Sequence, residues 1–301
     1  GAHPTLRVHG VLKDVQKMDP ISVEAMERLV GHVLSRIGMS FEPTTLREYD
    51  TSYQVEGVGR FRVNILKQKG QFGAVLRVIP GNVPTLDDLG LPEVLKKLCR
   101  EERGLILVTG VTGSGKSTTL AAMVNEVNRS ARKHIVTIED PIEFLHEDQL
   151  GRVTQREVGA DTESFSMALR AALRQDPDVI LVGEMRDAVT IDTALKAAET
   201  GHLVMSTVHT NDAARTIGRI IDVFPHDAQD GVRIRLAENL RGTISQRLLR
   251  RADNQGRVVA MEIMVMTLTA QELIKDPGRT PEIKDYIERS RDMYGTQSFD
   301  Q

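Results

Sequence analysis

The sequence predicts an α/β protein: a mostly parallel sheet in the C-terminal two-thirds, preceded by a small α+β unit. Three observations predict it. After residue 92, helical stretches alternate with short β-branched runs, LILVTG, HIVTIED, DVILVGE and HLVMSTVH, which is the pattern of a parallel sheet with crossover helices. Before residue 80, strand-like runs surround a single amphipathic helix. Between them lies PGNVPTLDDLGLP, with Pro80, Pro84 and Pro92 and the glycines Gly81 and Gly90, a run of turn signals. The expected boundaries are an N-terminal domain over 1–80, a linker over 81–91 and the main domain over 92–301.

Each element follows from local pattern. LRVHGVLKDV (Leu6 to Val15) alternates as strands do, with Gly10 where a hairpin turns. Ser22 to Ile37 places Val23, Met26, Leu29, Val30, Val33, Leu34 and Ile37 at helical spacing, with Ser22 as N-cap. From Tyr53 to Pro80, three β-type runs are separated by EGVG and KQKGQ, an antiparallel meander.

Composition narrows the function classes. The 301 residues carry 39 Lys+Arg against 42 Asp+Glu, a net charge of −3, with 40% apolar residues; such a chain can bury a real core. A lone cysteine, Cys99, makes neither an intramolecular disulfide nor a cysteine zinc site, as expected of a reducing compartment such as the cytoplasm. No run reaches the 18 or so apolar residues of a membrane span, and GAHPTLRVHG lacks the apolar core of a signal peptide; membrane contact is expected through a partner, not by insertion. With 4% aromatics, no Trp and near-neutral charge, no nucleic-acid partner is expected.

Gly110 to Ser117 reads GVTGSGKS, a complete GxxxxGK[ST] between an apolar strand and a helix. Composition alone would produce that pattern in about one chain of this size in a hundred. Gly110, Gly113 and Gly115 let backbone N–H groups, with those of Thr112, Ser114 and Thr118, curl around an anion at a helix start. Lys116 reaches the β and γ phosphates of a nucleotide such as ATP, and the Ser117 hydroxyl binds Mg2+.

Two carboxylate segments follow. His134 to His146 is a strand running into an acidic turn with Glu139, Asp140 and Glu143; Asp178 to Asp187 is a buried strand ending at Gly183 and Glu184. Open α/β sheets bind ligands at strand C-termini, so both acids are expected to face metal and nucleotide. HLVMSTVHTND has a histidine near each end. His209 ends the strand, where it can sense a γ phosphate; His202 is as readily a surface or satisfied core histidine as a ligand.

Together, GVTGSGKSTT, TIEDPIEF, LVGEMRD and GHLVMSTVHTNDA resemble the Walker A, Asp box, Walker B and His box of the secretion ATPase superfamily that drives type II secretion, type IV secretion and type IV pili. RFRVN, LRVIP, QRLL and GRVVAMEIM extend the resemblance over nearly the whole chain. It is most similar to the pilus-retraction, or twitching-motility, branch (PilT-like), since assembly ATPases usually carry a tetracysteine zinc element. The resemblance implies a RecA-like ATPase domain with a C-terminal helical segment, a PAS-like N-terminal domain, and a homohexamer working on an inner-membrane platform protein. It assigns Glu143 as general base, Glu184 as support for the metal, His209 and His202 as couplers of the γ phosphate, and Arg62 and Arg77 as arginines that reach the nucleotide on domain closure. Fifteen residues apart across a hairpin, the two arginines can share a face. TAQELIKD (Thr269 to Asp276) departs from the retraction motif AIRNLIRE, keeping Leu273 and Ile274, which leaves a related secretion or assembly ATPase as the alternative. A nucleic-acid motor on the same core is a further reading within the enzymes, and a nucleotide-gated scaffold is the reading from another class.

Overall fold

The computed structural model describes residues 3–8, 11–15, 18–253, 256–290 and 294–300. The chain divides into two compact units, 1–81 and 82–301.

In the first unit, β1 (Thr5–Val8) and β2 (Val11–Asp14) form an antiparallel pair; the expected turn at Gly10 lies outside the described residues. Helix α1 (Val23–Ser35) starts at Ser22, whose hydroxyl accepts from the Ala25 N–H at 3.2 Å. A three-stranded antiparallel sheet follows: β3 (Glu48–Val55), β4 (Gly59–Gln68) and β5 (Gln71–Ile79), in that spatial order. Lys69 and Gly70, both at positive φ, form the two-residue turn that matches strand twist. Val30, Val33 and Leu34 of α1 pack on Val63, Ile65 and Phe72 of the sheet. Because side chains alternate along a strand, Arg62 faces away from the helix, and the register pairs it directly with Arg77.

The second unit opens with a packed segment rather than a free linker. Leu86 is fully buried and Leu91 nearly so, in one core with Leu95 and Leu98 of α2 (Val94–Leu98). The expected linker over 81–91 is thus corrected: from residue 82 onward it belongs to the C-terminal unit, because its leucines have apolar surface to cover.

The main sheet is built from β6 (Gly104–Thr109), β7 (His134–Glu139), β8 (Arg152–Glu157), β9 (Val179–Val182), β10 (Leu203–Val208), β11 (Leu240–Arg250) and β12 (Arg257–Val265). Their spatial order is β12-β11-β6-β10-β9-β7-β8, parallel throughout except for β11 against β12. Helices α3 (Lys116–Ser130), α4 (Phe165–Ala172), α5 (Ala188–Glu199), α6 (Ala213–Asp222), α7 (His226–Asn239), α8 (Leu268–Lys275) and α9 (Ile283–Arg289) cover it. Leu105 and Leu107 enter one core, and Ile106 and Val108 the other. Burial on both faces explains why these strands read as unbroken apolar runs. Asp187 and Asp212, which look like motif acids in sequence, cap α5 and α6 by accepting from the Thr190 and Arg215 N–H groups.

Candidate active site

The C-terminal ends of β6, β7, β9 and β10 converge on one cavity of about 210 Å3. Its lining includes Thr112, Gly113, Lys116, Ser117, Glu139, Asp140, Glu143, His146, Glu184, Arg186, Thr207 and His209.

Its floor is the loop between β6 and α3. Gly110, Gly113 and Gly115 have φ values of 144°, 79° and 91°, backbone that side-chain-bearing residues avoid. A Cβ at Gly110 would also lie 2.5 Å from Ser114 Oγ and 2.6 Å from the Gln246 carbonyl of β11, so glycine is required there twice over. Ser114 Oγ is buried without a hydrogen-bond partner. Lys116 is 8% exposed and its Nζ donates to the Gly110 and Val111 carbonyls at 2.8 and 3.1 Å. Burial lowers its pKa, opposed by the negative charges of Glu184 and Glu143. Carbonyl dipoles solvate this ammonium without cancelling its charge, which leaves it poised for a true anion.

The acidic turn after β7 carries Glu143 exposed toward the cavity. Its N–H reaches Glu139 Oε2 at 3.4 Å, and Glu139 accepts from Thr137 Oγ1 at 2.7 Å and Gln155 Nε2 at 3.1 Å. Burial raises the Glu139 pKa, and these hydrogen bonds work against the rise. His146 is held neutral, its pKa lowered by burial to about 4.

On the opposite wall Glu184 meets the Arg186 guanidinium, Nη2 at 2.6 Å, and the His209 ring, Nε2 at 3.3 Å. The hydrogen bond to Glu184 raises the Arg186 pKa. Thr207 Oγ1 donates to the Gly183 carbonyl at 2.7 Å, tying the ends of β9 and β10.

The sequence-derived residues therefore fall into three groups. Thr112, Gly113, Lys116, Ser117, Glu143, Glu184 and His209 line one cavity, framed by Gly110, Ser114, Gly115 and Thr118 in the loop and first helical turn. Arg62 and Arg77 form a cross-strand pair in the first unit. His202 departs from expectation: it precedes β10, at the opposite end of that strand from His209, and its Nδ1–H donates to the Ala197 carbonyl at 2.9 Å. A six-residue strand separates it from the cavity by roughly 20 Å, and its ring is occupied in closing the α5–β10 turn. Sequence reasoning missed Arg186, His146 and Gln155; Arg186 is two residues beyond Glu184 in LVGEMRD, whereas Gln155 gives no sequence signal.

Among the described residues no helix is long and apolar enough to cross a membrane. Residues 54–291 match the family described as type II/IV secretion system protein. The chain is 49% identical over 277 residues to the type IV pilus retraction ATPase PilT of Pseudomonas aeruginosa, covering 92% of this chain and 79% of that protein. It is 44% identical over 298 residues to the twitching motility protein of Neisseria gonorrhoeae, covering 99% of this chain and 79% of the relative. Among solved structures, the pilus retraction motor PilT with bound ADP superposes with a TM-score of 0.89 at 45% identity, over 96% of this chain and 83% of that one. Sheet order, phosphate loop and acid positions thus coincide with a match over most of the sequence, and the chain belongs to the type II/IV secretion system protein family.

Proposed function

We propose that the chain is an ATP-hydrolysing motor that powers type IV pilus retraction, acting as a homohexameric ring at the cytoplasmic face of the inner membrane through a platform protein there. One observation carries the proposal: Lys116, Glu143 and Glu184, from three separate elements, line a single cavity in a chain nearly half identical to a retraction ATPase.

The chemistry follows from the residues. Lys116 exchanges its two carbonyl acceptors for β and γ phosphate oxygens, which offer full countercharge in a partly desolvated site. Glu143 orients and deprotonates the attacking water. The lining holds four carboxylates, Glu139, Asp140, Glu143 and Glu184, against Lys116 and Arg186, so a polyphosphate fits only with added positive charge. Among the described residues no three His, Cys, Asp or Glu gather into a metal cage; the donors suit a cation shared with the substrate, as Mg2+ usually is. Ser117 and Glu184 would hold that Mg2+, which supplies charge neutralisation at the phosphates. His209, through Glu184, links the γ phosphate to the end of β10. Phosphoryl transfer rests on positioning and electrostatics, and arginines delivered from elsewhere add about 10³ to 10⁵. Arg62 and Arg77, on a separate unit, fit that role and would make hydrolysis conditional on domain closure.

The alternative within the family, a secretion or assembly ATPase, draws on α8. Leu273 and Ile274, the two residues shared with the retraction motif, are buried, while the divergent Thr269 and Glu272 are exposed. The core role is kept and the presented surface differs.

Purified protein with Mg2+ and ATP tests the enzymology. Glu143→Gln is expected to bind nucleotide yet turn over about 10² to 10⁴ times more slowly; undiminished turnover would remove Glu143 as base, and absence of hydrolysis by the wild type would leave a nucleotide-gated scaffold. In cells lacking the protein, abundant immobile pili support retraction, and bald cells indicate assembly.

A further inference from the structure

We infer that Gln155 is a positioning residue for catalysis, setting the loop that carries Glu143. The inference rests on the proposal that Glu143 activates water. Gln155 lies on β8, the edge strand beside β7, half-buried beneath that loop. Both amide N–H groups and the amide oxygen are engaged. Nε2 donates to Glu139 Oε1 at 3.1 Å and to the Phe144 carbonyl at 2.9 Å, and Oε1 accepts from the His146 N–H at 2.8 Å. Those partners fix the orientation of the amide, since a carboxylate and a carbonyl need N–H groups and an N–H needs the oxygen.

The consequence for Glu143 is geometric. On its C-terminal side, the adjoining Phe144 carbonyl is held by Gln155; on its own N–H it is held by Glu139, the carboxylate that Gln155 also holds. Gln155 thus makes one of these restraints directly and shares the other with Thr137, which also donates to Glu139. The loop, whose Ile142 N–H is held by Glu157 Oε2 at 3.1 Å, is tied to β8 at two further points, the Phe144 carbonyl and the His146 N–H, by a group outside the cavity lining. Displacing a reacting group by about 1 Å can cost about 10² in rate, so the clamp matters for turnover and not for nucleotide affinity.

The side chain is specific to this job. Glutamate would face Glu139 with like charge and lose both donors; asparagine is one methylene short; alanine leaves the Phe144 carbonyl and His146 N–H without their partner.

Gln155→Ala in the whole chain tests it. The expected result is a kcat lower by about 10- to 100-fold, with KM for ATP and the dissociation constant for ADP within about twofold, and faster hydrogen exchange at the amides of residues 142–146. Combined with Glu143→Gln, the substitution should add nothing, because a residue acting through the base has no effect once the base is gone. Gln155→Met, which keeps the bulk without the hydrogen bonds, should reproduce the kcat loss and serves where the alanine variant fails to fold. Wild-type kcat in Gln155→Met, unchanged exchange of the loop, or a full additional loss on top of Glu143→Gln would each overturn the inference. Undiminished turnover in Glu143→Gln alone would instead sink the assignment of the base.

Discussion

His209 Nε2 lies 3.3 Å from one oxygen of Glu184, and Arg186 occupies the other at 2.6 Å. The Glu184 side chain is 18% exposed, while its partners Arg186 and His209 reach into solvent. The residue just past β10 thus touches a carboxylate at the end of β9, and a Mg2+ held by Glu184, as proposed above, would compete with Arg186 and His209 for its oxygens. Glu184→Gln is expected to keep metal-free ADP binding while the gain in affinity on adding Mg2+ falls about 10- to 100-fold. Titration of a fluorescent ADP analogue with and without Mg2+ reads this directly; an undiminished Mg2+ effect would place the metal elsewhere.

Lys116→Ala removes a buried ammonium that donates to the Gly110 and Val111 carbonyls. Relief of its desolvation offsets the lost bonds, so the unfolding free energy should change by no more than about 1 kcal/mol. Hydrolysis should fall below detection. Thermal denaturation and a phosphate-release assay together check the pair of outcomes, and collapse of the fold would make the lysine a structural residue.

Arg62 and Arg77 stand directly opposite each other, and like charges in that position repel. Replacing either by alanine should stabilise the first unit by about 0.2–1 kcal/mol while lowering kcat by about 10³. Chemical denaturation alongside steady-state kinetics measures both. Turnover unaltered in both variants would remove the arginines from the reaction.

His146 titrates at about 4 in the folded chain because burial disfavours its charged form. The ordinary histidine value is near 6.5. Between these values the unfolded chain binds a proton that the folded one refuses. Stability is therefore fully present above about 6.5 and declines as pH falls toward 4. From pH 7 to 5 the loss should approach 2 kcal/mol, on the order of 1.4 kcal/mol per pH unit below the unfolded value. His146→Gln should flatten that part of the stability–pH curve; an unchanged slope would assign the acid sensitivity to other groups.

What the sequence discloses follows the strength of burial. β6, β7, β9 and β10 are covered on both faces, so they stand out as apolar runs, and the phosphate loop stands out because glycines must sit at positive φ. β8 is invisible by the same logic. As the sheet's edge it reads RVTQRE, mostly polar, with only Glu157 buried, and so it passes for loop, taking Gln155 with it. The two histidines of HLVMSTVH are equivalent by composition, yet strand polarity separates them: in a parallel sheet the ligand end is the C-terminal one, where His209 lies and His202 does not. The segment 81–91 reads as a linker from its prolines and glycines, while Leu86 and Leu91, spaced among them, are what fasten it down.

The carbonyl of Gln246 sits where a side chain at Gly110 would have to go. The eight-residue cradle is therefore not a portable cassette. Grafted onto another scaffold it would lack the late strand that presses on its first residue and keeps it in shape, and a transplant that omits β11 should yield a glycine-rich turn with no special appetite for anions.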